Sequence, residues 1–327
     1  MFLKLYKNSS VKNILVITLT NIGDAVFTAP TIDVLLRDFP QAKLSIVVGA
    51  NAASLFEGNP RINKIHIFDK RWSSWEQFKW VKKLRAYNYD LVVDLRNSMI
   101  GYPLLPRWIT PPVLVKHLKL HLKDQHLKRL NSLYDFDPKP APALAIKPTK
   151  EDDEFVNHLF NLNEKPYIVI APCALDSSKA WSKDQFARLC DAIAQEYQFN
   201  IVMIGSKGDV EYINNIQSKA KAGIINLAGQ TNMIQTASLL NRASIAIAHD
   251  SGPMHLAGYL NRPILALFGP TVYAVSGPVS NIFRVICHKE NCPRCLNPKS
   301  NVSHECMKHI PLEEVLIAFR EIYEEIQ

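Results

Sequence analysis

Long apolar runs are missing from this 327-residue chain. None approaches the roughly 20 residues a membrane-spanning helix needs, so no spanning segment is expected. The opening stretch, MFLKLYKNSSVKN, has no apolar core of the signal-peptide kind, so no cleaved leader is expected either. Cysteine is scarce: Cys173, Cys190, Cys287, Cys292, Cys295 and Cys306 are the whole set. Six scattered thiols do not make a disulfide framework, and a reducing cytoplasm suits them best. The GxGxxG dinucleotide fingerprint is absent, as is any repeat of fixed period. What remains is 47% hydrophobic and 21% charged, an ordinary globular composition that excludes a disordered or fibrous chain. The length exceeds one compact core and fits two domains.

Acidic residues are short in the first half. Residues 1–150 hold 11 of them against 23 Lys and Arg, a balance of +12; residues 151–327 hold 19 against 15, a balance of −4. The overall +8 therefore belongs to one half, which points to different partners for the two, the first of them anionic.

Short, β-branched, continuously apolar runs recur at Ile14–Leu19, Leu44–Val48, Lys64–Phe68, Leu91–Leu95, Tyr167–Ala171, Ile201–Ile204, Ile245–Ala248 and Ile264–Phe268. Continuous rather than alternating apolarity predicts parallel strands buried on both faces. Amphipathic stretches at Trp75–Tyr87, Lys183–Glu196, Asp209–Lys219, Met233–Asn241 and Leu312–Ile326 read as helices. Two rounds of strand–helix alternation predict two doubly wound α/β domains. Asp137, Pro138, Lys139, Pro140, Ala141, Pro142 and then Pro148 cannot continue a helix or a central strand. They place a linker near 136–150, with domains at 1–145 and 146–327 and a C-terminal helix able to return to the first. Ligands of open α/β sheets sit beyond the carboxyl ends of strands, so residues just after strands are the informative ones.

Six places qualify. Thr20, Asn21, Ile22, Gly23 and Asp24 follow the first strand: Gly23 suits a tight turn, and Asp24 is either a general base toward a hydroxyl or a plain helix cap. Asp250, Ser251, Gly252, Pro253, Met254 and His255 follow a later strand and open a helix, whose first amides form an anion site or a simple capped start. Gly269, Pro270 and Thr271 close the next strand as a ligand contact or an ordinary turn. Ser177, Ser178, Lys179, Ala180 and Trp181 follow Tyr167–Ala171, and Lys179 is a point charge for a phosphate or a solvated lysine. From Arg107 to Arg129, Lys116, Lys119, Lys123, Lys128 and three histidines meet the single acid Asp124. This is a solvated helical face or a patch for anionic groups or an anionic membrane; too few aromatics interleave for nucleic acid. Cys287, Cys292, Cys295 and Cys306, with His304 nearby, are free thiols or a structural metal site.

Together these segments resemble a known family. The run Ile14 to Pro30 (ILVITLTNIGDAVFTAP) and the run Ala248 to Ala257 (AHDSGPMHLA) are similar to the corresponding motifs of family 9 glycosyltransferases, the ADP-heptose:lipopolysaccharide heptosyltransferases. So are Pro263 to Thr271 (PILALFGPT), Cys306-Met307, and Ile310 to Val315 (IPLEEV). The resemblance implies a GT-B fold, two Rossmann-like domains facing a central cleft, with acceptor in the first and nucleotide sugar in the second. It implies inverting transfer with no cofactor and no essential metal. It makes Asp24 the catalytic base, Lys179 the lysine beside phosphates and sugar, and Asp250 the heptose contact. Ser251 and Gly252 would offer amides to the diphosphate at a helix start where Pro253 and His255 lie close, with Ser178 near the phosphates. Gly205 begins a glycine-rich turn, after which Asp209 or Glu211 would meet ribose or base. Paired threonines of some heptosyltransferases are here Ala174 and Leu175. Acceptor contacts are expected from Thr20, Asn21, Arg96, Lys116, Lys119 and Lys123. The partners expected are ADP-heptose or another nucleotide sugar, an anionic glycolipid, and the inner face of the inner membrane as a peripheral surface. A relative with another donor or a protein acceptor, and a non-catalytic sugar-nucleotide binder, are the alternatives.

Overall fold

The computed structural model describes residues 5, 10–112, 119–159, 165–174, 176, 179–297, 299 and 302–327. They fall into two compact units, Met1–Thr149 and Lys150–Gln327.

In the first unit, β1 (Asn13–Ile17) leads into α1 (Ile22–Asp38), then β2 (Lys43–Val48), β3 (Ile62–Ile67), α2 (Ser74–Arg85), β4 (Leu91–Asp94), β5 (Trp108–Ile109) and α3 (Leu122–Asn131). The sheet is parallel throughout, in the order β3-β2-β1-β4-β5. β4 is buried from end to end and β1 from Ile14 onward, as their unbroken apolar runs require. α2 starts at a reciprocal cap, in which the Ser73 hydroxyl accepts from Glu76 N and Glu76 accepts from Ser73 N. The proline-rich segment lies along this unit. Asp33 accepts from the amides of Leu144 (2.8 Å) and Ala145 (2.7 Å), and Arg37 donates to the carbonyls of Asp137 and Lys139. Those anchors carry the chain to Thr149 before the units divide.

In the second unit, α4 (Lys150–Leu159) precedes β6 (Tyr167–Ala171), α5 (Lys183–Glu196), β7 (Asn200–Met203), α6 (Val210–Lys219), β8 (Ile224–Asn226), α7 (Met233–Arg242) and β9 (Ala246–His249). Then come α8 (Gly252–Tyr259), β10 (Ile264–Phe268), α9 (Tyr273–Ser276), β11 (Phe283–Cys287), α10 (Pro293–Leu296) and α11 (Leu312–Glu325). The order β11-β10-β9-β6-β7-β8 is again all parallel. Leu312, Val315, Phe319 and Ile322 of α11 join the core of this second unit. No described helix is long and apolar enough to cross a membrane.

Strand order locates the crevices. In the first sheet the order reverses between β1 and β4, and in the second between β6 and β9. Diverging connections at such a point leave room for a ligand beyond the carboxyl ends of the strands. The segments that follow these four strands hold Asp24, in the first turn of α1, and Arg96, Lys179 and Asp250.

Candidate active site

The second unit brings three predicted residues together. Lys179 Nζ donates to Asp250 Oδ2 at 2.7 Å, and His255 Nε2 lies 3.4 Å from Asp250 Oδ1. Burial opposes charge on Asp250, but hydrogen bonds from His255 and Lys179 outweigh it and hold the carboxyl well below its usual range. A buried carboxylate with a cation and an imidazole is thus fixed at the β6/β9 switch point, where α8 begins. The Ser251 hydroxyl donates to the His249 carbonyl (3.1 Å) and makes no cap bond to α8. Pro253 has no amide hydrogen, so the amides of Gly252 and Met254 head the helix without a side-chain cap.

Lys179 N donates to Asp176 O at 2.9 Å, and Trp181, two residues on, is seated by three hydrogen bonds. The buried indole donates through Nε1 to Ile310 O (3.0 Å), Tyr212 donates to Trp181 O, and Trp181 N donates to His249 Nε2 at 3.1 Å. Burial pushes the His249 imidazole down to about 3, so it stays neutral and Nε2 stays an acceptor. His249 lay inside the recognised motif without a role, and a histidine ending a buried strand was its only signal. Ser178 lies outside the described residues. In the turn after β7, Asp209 Oδ2 accepts from the amide and hydroxyl of Ser206, both at 2.7 Å, and a methyl group at Gly205 would lie 2.8 Å from Asp209 Cβ. Glu211 is exposed in the first turn of α6. Thr271 Oγ1, after β10, is buried and has no hydrogen-bond partner among the described residues.

In the first unit Asp24 is not a helix cap. Asn21 occupies that position, and its amide donates to Asp24 Oδ2 at 3.1 Å. Gly23 lies inside α1 and not in a turn before it. The close approach is made by Gly49 at the end of β2, a residue the sequence reading passed over. A methyl group there would sit 2.5 Å from Thr20 O. Asp94 was passed over too. Its buried carboxylate accepts from the amides of Arg96 (3.1 Å), Ser98 (2.8 Å) and Met99 (3.1 Å), shaping the loop after β4. Asn97 and Met99 there have φ of 59° and 62°, a left-handed backbone that costs L-residues energy and marks a loop held to shape. The Arg96 guanidinium lies 4.5 Å from the Phe68 ring centroid.

The basic stretch is not one helical face. It contains β5, its residues 113–118 (Lys116 included) lie outside the described ones, and α3 starts only at Leu122. His121 Nδ1 caps α3 by accepting from Lys123 N; Arg129 is buried and donates to Asn97 (3.0 Å). Lys119 is exposed, and Lys123 stands 3.9 Å from Asp124.

The cysteine grouping needs correcting. Cys287 points its thiol at Gly269 O (3.8 Å). Cys292, Cys295 and Cys306 are instead joined by His304, all four ligand atoms lying within 4.8 Å of one another. Four residues separate Cys287 from the Cys292–Cys295 pair in sequence, but it ends β11, whereas the other ligands sit at the start of α10, within it and in the segment after it.

A family model described as glycosyltransferase family 9 (heptosyltransferase) matches residues 116–305. Lipopolysaccharide heptosyltransferase 3 of Escherichia coli (strain K12) is 27% identical over 278 residues, 76% of this chain and 80% of that one. Among solved structures, a family 9 glycosyl transferase from Veillonella parvula DSM 2008 superposes with a TM-score of 0.84 at 20% identity, covering 99% of this chain and 100% of that one. The E. coli ADP-heptose lps heptosyltransferase II does so with 0.76 at 23%, covering 96% and 99%. These likenesses show that the two Rossmann-like units carry the GT-B fold.

Proposed function

Since the chain belongs to glycosyltransferase family 9, we propose that it moves a heptose from ADP-heptose to a hydroxyl of a lipopolysaccharide inner-core acceptor, inverting the anomeric carbon. The names of its relatives support donor and acceptor class. The observation that carries the reading is the Lys179–Asp250–His255 cluster beside the start of α8.

In this reading Asp24 takes the proton as the acceptor oxygen attacks the anomeric carbon. The carbon–oxygen bond to the diphosphate breaks, and its electron pair leaves with ADP. Charge that develops on the diphosphate is met by the amides of Gly252 and Met254, by the positive end of α8 and by Lys179. Asp250, held in place by Lys179 and His255, accepts from sugar hydroxyls. Pro253 starts the helix. Ser178 adds a phosphate contact and Glu211 a ribose contact, while Thr20, Asn21, Arg96, Lys116, Lys119 and Lys123 face the acceptor. The acceptor's phosphates and acidic sugars suit a basic first half, and the protein works as a peripheral protein at the cytoplasmic face of the inner membrane.

The donor set of Cys292, Cys295, His304 and Cys306 fits a four-coordinate thiophilic ion, zinc or iron. Such an ion would cross-link the loops between β11 and α11, and no step of transfer passes through it. Purified protein is expected to hold about one equivalent. Cys295→Ser loses it and Cys287→Ser keeps it; protein without zinc or iron overturns this assignment.

The reaction itself is tested with ADP-, UDP- and GDP-sugars and a heptose-deficient lipopolysaccharide core. Heptosyl product is expected from ADP-heptose alone. Asp24→Asn should lower turnover by about 10²–10⁴-fold with ADP affinity kept. Full activity in that variant removes Asp24 as the base, and turnover with UDP- or GDP-sugars only removes the donor assignment.

A further inference from the structure

The outer face of α2 is exposed, aromatic and basic. Its inner face is settled, since Trp80, Val81 and Leu84 pack against the cluster of Phe68, Tyr89, Val92 and Leu104. On the opposite side, at helical spacing, stand Trp75, Phe78, Lys79 and Lys82. Trp75 and Phe78 are 62% and 58% exposed, stacked on each other with centroids 5.6 Å apart, and Lys79 Nζ lies 5.2 Å from the Trp75 centroid. A soluble surface normally keeps two such large rings covered. The charge around them is of one sign: Lys79, Lys82, Lys83 and Arg85, against Glu76, whose carboxylate is taken by the Ser73 cap.

We propose that this face is where the first unit lies on an anionic phospholipid bilayer. Indole and phenyl rings favour the headgroup level, and lysines extend their stems along apolar surface to reach lipid phosphates. Both halves of the face thus find a complement in one partner. The helix that carries the patch also adjoins the segment after β4. α2 packs against the turn Tyr102–Leu104, and that turn is flanked by Met99 and Leu105. These two are 51% and 70% exposed, and both hold left-handed φ. They belong to the segment that follows Arg96 at the carboxyl end of β4. A chain seated by α2 would therefore present its acceptor loops to the surface its acceptor is anchored in; this last step rests on the lipopolysaccharide reading above.

The test is flotation of the full chain with vesicles of phosphatidylcholine alone and with phosphatidylglycerol added. Binding to the anionic vesicles only is expected, weakening with salt. Trp75→Ser/Phe78→Ser should weaken it by about tenfold or more, and Lys79→Gln/Lys82→Gln several-fold with a shallower salt dependence. Transfer to a deacylated, water-soluble acceptor should be unchanged in both variants. Equal flotation of the aromatic variant, no flotation of the unaltered chain, or a dimer that the aromatic variant dissociates would each overturn the proposal. Failure of the unaltered chain to transfer heptose to any acceptor sinks the functional reading instead, whatever the vesicles show.

Discussion

Asp250 illustrates how one side chain acquires a defined charge. Alone, a carboxylate so buried would tend to hold its proton, yet Lys179 and His255 keep it ionised. The buried imidazoles go the other way. Burial first, then Lys64, pushes His66 down to about 4; burial, then Arg129, takes His126 to about 4; burial takes His249 to about 3. The unfolded chain protonates each near 6.5, and the folded chain does not until lower pH. Unfolding therefore takes up protons between about pH 6.5 and about pH 4, so stability is full above that window and falls as pH drops through it. Asp250 adds a loss of the same sign further down. The melting temperature is expected to decline from about pH 7 to about pH 4.5, and less steeply in His126→Gln. A flat profile across that window contradicts neutral burial of these rings.

At the level of elements, the helix start that carries Asp24 depends on a neighbour. Gly49→Ala puts a methyl group 2.5 Å from Thr20 O, a distance no real contact tolerates, so the Thr20–Asp24 segment must shift. Heptosyl transfer should fall by about 10²-fold, the penalty expected for misplacing a reacting group by about an ångström. ADP affinity, measured by titration calorimetry, should stay as it was. Unchanged turnover would show that the segment tolerates the displacement. The central strands and long helices were legible because burial on two faces, or on one stripe, writes a period into the chain. The edge strands β5, β8 and β11 were not: two to five residues with partly exposed faces leave no period to read. β1 ends at Ile17, two residues short of the apolar run, although the Thr18 amide and hydroxyl both still donate to Val47 O.

For the whole molecule, the charge asymmetry is the property that organises partners. A balance of +12 lies on the half with Asp24, Arg96 and α2, and −4 on the half with the Lys179–Asp250–His255 cluster. On the proposed reading, a helix start and one lysine are a compact provision for a leaving diphosphate, which leaves the positive excess to the acceptor and the membrane. The cysteine–histidine cluster works on the same scale. An ion there would tie the loops after β11 to the turn Cys306–His309 that leads into α11, so chelation should lower the melting temperature of the metal-loaded protein and leave that of Cys295→Ser unchanged.

By itself the amino-acid order determined the α/β class, two units, the strand-end position of each candidate residue and the uneven charge. All of these follow from local pattern and composition, which need no knowledge of what lies across the fold. The tertiary structure alone decided which residues meet. It paired Lys179 with Asp250 across 71 positions of sequence, seated Trp181 on His249, exchanged Cys287 for His304, and turned Gly49 toward Thr20. It also left Trp75 and Phe78 exposed on the outer face of α2. Contacts between distant segments depend on strand order and loop course, and neither leaves a periodic trace in the chain.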